Sequence, residues 1–217
     1  KEQRGYITPQ EFNLFANQAQ NEIFEQYFYD LNQMLRIPGN KTVSSDARDI
    51  IEEKIAIFRV TNELIGTYTF PSSMHKLEGL SARFGNETGA VFYPAEEVSK
   101  KEYDMYEQAA LTRPLFNRPI FYRYNNSFAI SPPDGWGAFQ IDYIRKPFLA
   151  NWAYLVVNEA ALVNTSAADY NDFELHGSEE KNLVIKILQY AGVSSKSMDV
   201  VQVAAQEESK NIQQAKA

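Results

Sequence analysis

The first clear element of this chain is residues 8–36, TPQEFNLFANQAQNEIFEQYFYDLNQMLR. A helix start is indicated by Thr8, Pro9 and Glu11, because threonine can cap the first turn, proline suits the first helical position and glutamate can close a capping box. Apolar side chains then recur at helical spacing until a proline–glycine pair stops the pattern. The sequence predicts a helix that ends near Arg36 and is about 40 Å long.

The opposite face of this predicted helix is rich in uncharged amides. They are Asn13, Asn17, Gln18, Gln20, Asn21, Gln26 and Asn32. Amide side chains without charge suit a face that is either solvated or packed against a neighbour. The pattern leaves both interpretations open.

The middle of the chain predicts short β-strands bounded by turns. Residues 139–144, FQIDYI, alternate apolar and polar side chains, which is typical of a sheet with one buried face. The other predicted strands are 67–70, 75–83, 90–93, 118–124 and 127–130, and residues 46–58 could begin as a helix and end as a strand. A short helix is predicted from Glu96 to Ala109, with Glu96 and Glu97 in a first turn whose dipole favours negative charge.

The end of the chain is predicted to be helical again. Ser178 is expected to cap a helix with an apolar stripe, which Gly192 would end. A further helix-prone segment runs from Met198 to about Ala215, and its polar half has little to bury by itself. The order predicts an α+β fold with a long N-terminal helix, a β-rich middle containing an antiparallel sheet, and C-terminal helices.

This reading divides the chain into three parts. We expect an N-terminal helical arm at 1–39, a β-rich core with one short helix at 40–175, and a C-terminal helical segment at 176–217.

Composition excludes several functional classes. The 217 residues include 44% hydrophobic and 23% charged residues, as in ordinary globular proteins, and the net charge is −7. Such a chain is not a general binder of phosphate backbones, which requires clustered Lys and Arg. The absence of cysteine excludes disulfides and cysteine nucleophiles, and two histidines argue against a multi-histidine zinc site. No stretch approaches the ~20 apolar residues that cross a bilayer.

Motifs with a known chemical mechanism are missing from the sequence. Neighbouring acids occur at Glu52-Glu53, Glu96-Glu97, Glu179-Glu180 and Glu207-Glu208. Sequence adjacency does not place two carboxyls across a cleft, as glycoside hydrolysis requires. His176 lies near Asp172 and Glu174, but no convincing nucleophile accompanies it, and a capping or interface role is favoured. We therefore predict a protein that is not an enzyme, with no catalytic, cofactor-binding or metal-binding residues.

Three stretches together resemble a group of virion proteins from tailed bacteriophages. They are 2–13, EQRGYITPQEFN; 142–147, DYIRKP, with Trp152 after it; and 172–193, DFELHGSEEKNLVIKILQYAGV. The group includes neck proteins of crAss-like and related marine phages. The resemblance covers most of the chain and is strongest at both ends. This chain has Gly177 where the group often has proline.

The resemblance implies a head-to-tail connector, or neck ring protein. Such subunits form a homo-oligomeric ring, typically of twelve copies, below the portal protein and beside other neck or tail ring proteins. The ring lines the channel through which genomic DNA passes without sequence-specific binding. It implies a protein of the virion neck, assembled in the host cytoplasm, with no cofactor and no membrane partner. An acidic channel wall would repel phosphates and let DNA slide.

Other readings remain open. The chain could be another tail or capsid accessory protein, which ring stoichiometry would distinguish. A virion-associated hydrolase would need a deep cleft with two facing carboxyls or a histidine-centred site. A cellular ligand-binding domain would need an enclosed apolar pocket and a stable monomer.

Overall fold

The protein is described by a computed structural model over residues 7–36, 42–85, 91–158, 160–194 and 202–210. Its contacts divide the chain into two compact units. We name them the helical unit, Lys1–Ile57 with Pro147–Ala217, and the sheet unit, Phe58–Lys146. The predicted α+β class is confirmed. The predicted division into three parts by chain order stays a prediction.

The described elements follow one another in this order along the chain. They are α1 (Pro9–Arg36), α2 (Thr42–Ala56), β1 (Arg59–Leu64), β2 (Met74–Phe84), β3 (Phe92–Glu97), α3 (Lys100–Gln108), β4 (Ile120–Tyr124), β5 (Ser127–Ser131), β6 (Trp136–Arg145), β7 (Tyr154–Val157), β8 (Ala160–Val163), a 3₁₀ turn (Gly177–Glu179), α4 (Glu180–Ser194) and α5 (202–210).

Helix α1 begins and ends where the sequence predicts. Thr8 and Glu11 form the expected reciprocal cap: the Thr8 backbone N–H donates to the Glu11 carboxylate at 2.9 Å, and the Glu11 N–H donates to the Thr8 hydroxyl at 3.3 Å. The buried stripe of α1 includes Ala16, Ala19 and Ile23. In the helical unit this stripe packs against α2 and α4.

A buried ion pair joins α2 to the start of α4. The Lys54 ammonium contacts the Glu179 carboxylate, which also accepts a hydrogen bond from Asn182 at 2.7 Å. The Tyr27 ring lies beside Lys54, and its buried hydroxyl has no hydrogen-bond partner. Burial, followed by the nearby charge of Glu179, raises the pKa of Tyr27 far above its ordinary value.

The sheet unit is one curled sheet of six strands in the order β1-β6-β2-β3-β4-β5. Every neighbouring pair is antiparallel except β3 and β4, which are parallel. The predicted antiparallel sheet is therefore mixed at this one pair. The reason is the connection: α3 lies between β3 and β4 in the chain, and a helical crossover returns the chain to the same sheet edge in the same direction.

The curl brings aromatic side chains together inside the sheet. Tyr68, Thr69 and Phe70, which precede β2, pair with the start of β5: the Phe128 N–H donates to the Tyr68 carbonyl at 3.0 Å. Phe70, Phe128 and Phe139 are buried in this core. At the turn between β4 and β5, Asn125 has φ of 49°, the left-handed conformation that Asn tolerates.

Three predicted helix starts differ from the observed ones. Glu96 and Glu97 lie in β3, because the Glu96 N–H donates to the Pro119 carbonyl, and α3 starts later at a capping box formed by Ser99 and Glu102. Helix α2 begins at Thr42, four residues before the predicted helical start at residue 46. At the C-terminal end, the 3₁₀ turn is capped by the His176 ring, which accepts from the Ser178 N–H at 3.2 Å.

The C-terminal helices extend differently from the predicted ranges. Helix α4 continues through Gly192 to Ser194, so this glycine does not end it. The predicted segment from Met198 to Ala215 is helical over 202–210, and the rest of that prediction lies outside the described residues.

Candidate functional site

Amide side chains on one face of α1 form hydrogen bonds to the backbone of residues 148–152, a segment of the same unit. The Asn17 side chain makes two bonds to the Ala150 backbone, donating to its carbonyl and accepting from its N–H, both at 2.8 Å. One turn earlier, the Asn13 side-chain oxygen Oδ1 accepts from the Trp152 N–H at 2.8 Å. One turn later, the Gln20 amide donates to the Phe148 carbonyl at 2.7 Å. We call Asn13, Asn17 and Gln20 the amide ladder.

The spacing of the ladder has a simple geometric cause. The steps of the ladder are three or four helical residues, which rise about 4.5–6 Å, and two residues of an extended chain span about 6.6 Å. Successive turns of α1 can therefore meet every second residue from Trp152 back to Phe148. Gln20 also accepts from the Glu174 N–H at 3.2 Å, which adds a second segment to the same face. These three amides satisfy backbone groups of their own chain and are not a free surface for a partner.

An open, mostly apolar groove lies beside the ladder. Its volume is about 280 Å³, and its lining includes Phe12, Trp152, Val163 and Tyr170. The Phe12 and Trp152 rings meet edge to face with centroids 5.3 Å apart. Aromatic surface of this kind suits contact with another apolar side chain.

At least one member of each acidic pair considered in the sequence has an ordinary structural partner. Glu179 is in the buried ion pair with Lys54, and Glu52 pairs with Arg48 one helical turn away. In the sheet unit, Glu97 pairs with Arg123 across neighbouring strands. Glu207 pairs with Lys210 within α5. These contacts place the carboxylates in separate ion pairs and do not bring two of them together across a cleft.

Two other carboxylates border a crevice on the sheet unit. Its volume is about 450 Å³. Asp142 accepts a hydrogen bond from the Thr61 hydroxyl, and Glu78 accepts one from Arg59 at 3.2 Å. The sequence reading did not single out this pair, because β2 and β6 are far apart in the chain. Within the ranges that the structure describes, no group of three or more His, Cys, Asp or Glu side chains is placed to hold a metal ion.

A polar network holds α5 against the rest of the helical unit. The Lys186 ammonium contacts Glu22 of α1 at 2.7 Å and Glu208 of α5 at 3.1 Å, and Gln189 donates to Glu208 at 2.8 Å. Tyr190 donates to Glu22 as well. The polar C-terminal helix, for which the sequence offered no burial partner, thus contacts α4 of its own chain, and Lys186 of α4 links it to α1.

The network shifts the protonation of its members. Burial works against ionisation of Glu22, but hydrogen bonds from Lys186 and Tyr190 lower its pKa below the ordinary value. The Gln189 hydrogen bond, against a smaller effect of burial, lowers the pKa of Glu208. Burial alone would lower the pKa of Lys186, but its bonds to both carboxylates raise it.

The least expected feature is the hairpin formed by β7 and β8. It is a separate two-stranded sheet, and Leu155, Val156, Leu162 and Val163 are each more than half exposed. The sequence analysis predicts no strand in this stretch. A signal was available: YLVV and AALV are two β-prone runs separated by Asn-Glu, and Asn158 adopts a positive φ of 51° at the turn.

Other large apolar side chains are exposed on the helices. On α4, Val184 and Leu188 lie one turn apart and are about half exposed. No helix among the described residues combines the length and apolar character needed to cross a membrane.

Comparison with known proteins adds no relative: the sequence matches no protein-family model and no curated protein. The functional interpretation therefore depends on the residues and surfaces described above.

Proposed function

We propose that this chain is a non-enzymatic virion structural protein, a ring-forming head-to-tail connector subunit below the portal of a tailed bacteriophage. In this role the ring helps to form the DNA exit channel and to dock the tail. The subunit is assembled in the host cytoplasm and resides in the neck of the virion.

The observation that carries this proposal is the exposed apolar surface of the helical unit. A ring of identical chains requires each copy to present two different patches that complement each other. The β7–β8 hairpin has two different strand edges, and the half-exposed Val184 and Leu188 on α4 add a further apolar surface. Exposed apolar surface of this extent is typical of proteins that bind other proteins.

The internal contacts of the helical unit narrow the choice of patches. The amide ladder of Asn13, Asn17 and Gln20 is engaged by the chain itself, so it supports the shape of the subunit and not its contact with neighbours. Helix α5 is likewise engaged through Glu208. This leaves the exposed apolar side chains as the main candidates for contacts between copies.

The overall charge supports the passage of DNA without retention. A ring of chains that each carry a net charge of −7 can present negative charge to its channel. Phosphates are repelled by such a field, so DNA moves through without sequence-specific binding. The proposal requires acids, and not Lys or Arg, to dominate the lumen.

The test is the mass and symmetry of the purified chain, alone and mixed with virion neck fractions. Native mass spectrometry and class averages from electron microscopy should reveal one closed ring, with twelve copies expected. A chain that stays monomeric and never enters a symmetric complex would overturn the proposal. Hydrolysis of a cell-wall polymer that Asp142→Asn abolishes would favour the hydrolase reading in its place.

A further inference from the structure

The β7–β8 hairpin has two apolar faces. Its strands pair Tyr154 with Val163 and Leu155 with Leu162. Residues directly opposite in an antiparallel pair lie on the same face, so Tyr154, Val156 and Val163 share one face, and Leu155, Val157 and Leu162 share the other. A sheet that keeps one face in water normally places polar residues on that face. Neither face of this hairpin has them.

The hairpin also has two unprotected edges. Among the described residues, neither β7 nor β8 pairs with a third strand. Natural proteins protect such edges with charged residues, proline or bulges, and 154–157 and 160–163 contain neither a charge nor a proline. An isolated two-stranded hairpin is at best marginally stable in water, so this one gains from added strands.

The exposed area matches a protein interface. Tyr154, Leu155, Val156, Val157, Leu162 and Val163 are between 38% and 67% exposed. Six side chains exposed to this extent supply on the order of 600 Å² of surface, compared with roughly 800 Å² per partner in a standard interface. Because edge pairing covers only part of these side chains, the hairpin supplies one part of a subunit contact.

A second copy of this chain is the partner that these uncharged strands suit, because a basic partner would bind the acidic surfaces instead. Identical chains with a net charge of −7 repel one another at most of their surfaces. This electrostatic repulsion between copies is smallest where the contacting strands carry no charged residues. A sheet edge also supplies backbone donors and acceptors that any other strand edge can pair with.

We infer that the hairpins of neighbouring copies pair edge to edge, with β8 of one copy beside β7 of the next. This inference rests on the proposed ring. If strand directions keep alternating across the contact, β8 of one copy pairs antiparallel with β7 of the next. A row of such hairpins then has an unpaired β7 edge at one end and an unpaired β8 edge at the other. Such a head-to-tail contact repeats around a ring, whereas β7 pairing with a second β7 would stop at a dimer.

The absence of cysteine makes a cross-linking test direct. Single variants Leu155→Cys and Val156→Cys on β7, and Leu162→Cys and Val163→Cys on β8, are prepared separately and assembled in mixtures. A short bis-maleimide should link Leu155→Cys to Leu162→Cys, and Val156→Cys to Val163→Cys, because each mixture combines residues of one face. We expect about tenfold more linked dimer from these mixtures than from any variant alone.

A mismatched mixture is the control. Leu155→Cys with Val163→Cys places the two thiols on opposite faces, and it should yield no more linked dimer than the single variants. Circular dichroism and ring mass establish that each variant folds and assembles.

The outcomes separate this inference from the proposed function. If rings of normal mass give no cross-links in the mixtures that combine residues of one face, the hairpin contact is overturned and the ring is unaffected. The same holds if cross-links form only between copies of the same variant. A chain that forms no ring overturns the proposed function, and the hairpin contact with it.

Discussion

Strand β6 and the β7–β8 hairpin are both made of β-prone residues, but they differ in what surrounds them. In β6, Phe139, Ile141 and Tyr143 point into the aromatic core of the sheet unit, and the strand has partners on both edges. In the hairpin, apolar residues occupy both faces and no third strand is present in the described part of the chain. The sheet is complete within one chain, whereas the hairpin has the composition of a strand pair that a neighbour completes.

The largest expected difference between the two regions is in stability. Phe139→Ala should lower the free energy of unfolding by about 3–5 kcal/mol, because it leaves a cavity beside Phe128, whose ring centroid lies 5.1 Å away. Leu155→Ala in the exposed hairpin should cost at most about 1 kcal/mol. Urea titration of both variants measures the difference, and equal losses would show that the hairpin is buried in the isolated chain.

The amide ladder should have the next largest effect, because it holds the segment that leads into the hairpin. Asn17→Ala removes the partners of both the Ala150 N–H and its carbonyl, which are part-buried, at a cost of about 1–3 kcal/mol. Hydrogen exchange at Ala150 and Trp152 should become faster. Asn21→Ala, an exposed amide on the same helix, serves as the matched control and should change neither quantity.

Charge on the hairpin should affect assembly more than folding. The double variant Val156→Lys with Leu162→Lys should change the unfolding free energy of the monomer by less than about 0.5 kcal/mol. It should raise the concentration needed for ring formation at least about tenfold, because lysines on both strands oppose edge pairing. Analytical ultracentrifugation measures the shift.

Leu111→Lys is the control for that pair, since Leu111 is fully exposed in the sheet unit. It introduces one lysine at an exposed apolar position outside the hairpin and should leave ring formation unchanged. If the hairpin double variant assembled normally, the hairpin would be no more important for ring formation than the other exposed apolar side chains.

The smallest effect concerns α5, a peripheral element that, unlike the hairpin, is held by polar contacts. The pKa values of Glu22 and Glu208 are lower in the folded chain than their ordinary value of 4.5. Their contribution is therefore fully present above pH 4.5 and is lost as the pH falls through the folded values. Because both side chains are partly solvated, we expect less than about 1 kcal/mol.

Hydrogen exchange of residues 202–210 at neutral and acidic pH measures this loss. Glu208→Gln should weaken the acid dependence, because it removes one of the two titrating carboxyls. An acid response of the same size in that variant would assign the effect to other groups.

Local sequence patterns are sufficient to predict those features that depend only on residues close together in the chain. The cap of Thr8 and Glu11, the length of α1 and the turn at Asn125 follow from short-range hydrogen bonds and backbone preferences. The alternation in 139–144 correctly indicated a sheet with a buried face. By contrast, Glu96 and Glu97 were assigned to a helix, because their pairing with β4 joins segments more than twenty residues apart.

The candidate surfaces show the same limit. The amides of α1 were evident in the sequence, but their partners at Phe148, Ala150 and Trp152 are more than a hundred residues away, so a solvated face and an engaged face looked alike. The hairpin was missed because apolar runs of four residues do not distinguish a buried strand from an exposed one.

The sequence by itself determined the fold class, the main helix and the lack of cysteine chemistry, since these depend on composition and on periods of a few residues. Only the tertiary structure decided which amides are hydrogen-bonded to the backbone, which acids are in ion pairs, and which apolar strands are exposed. The reason is physical: burial and pairing are set by contacts between distant parts of the chain, and one-dimensional patterns do not record them.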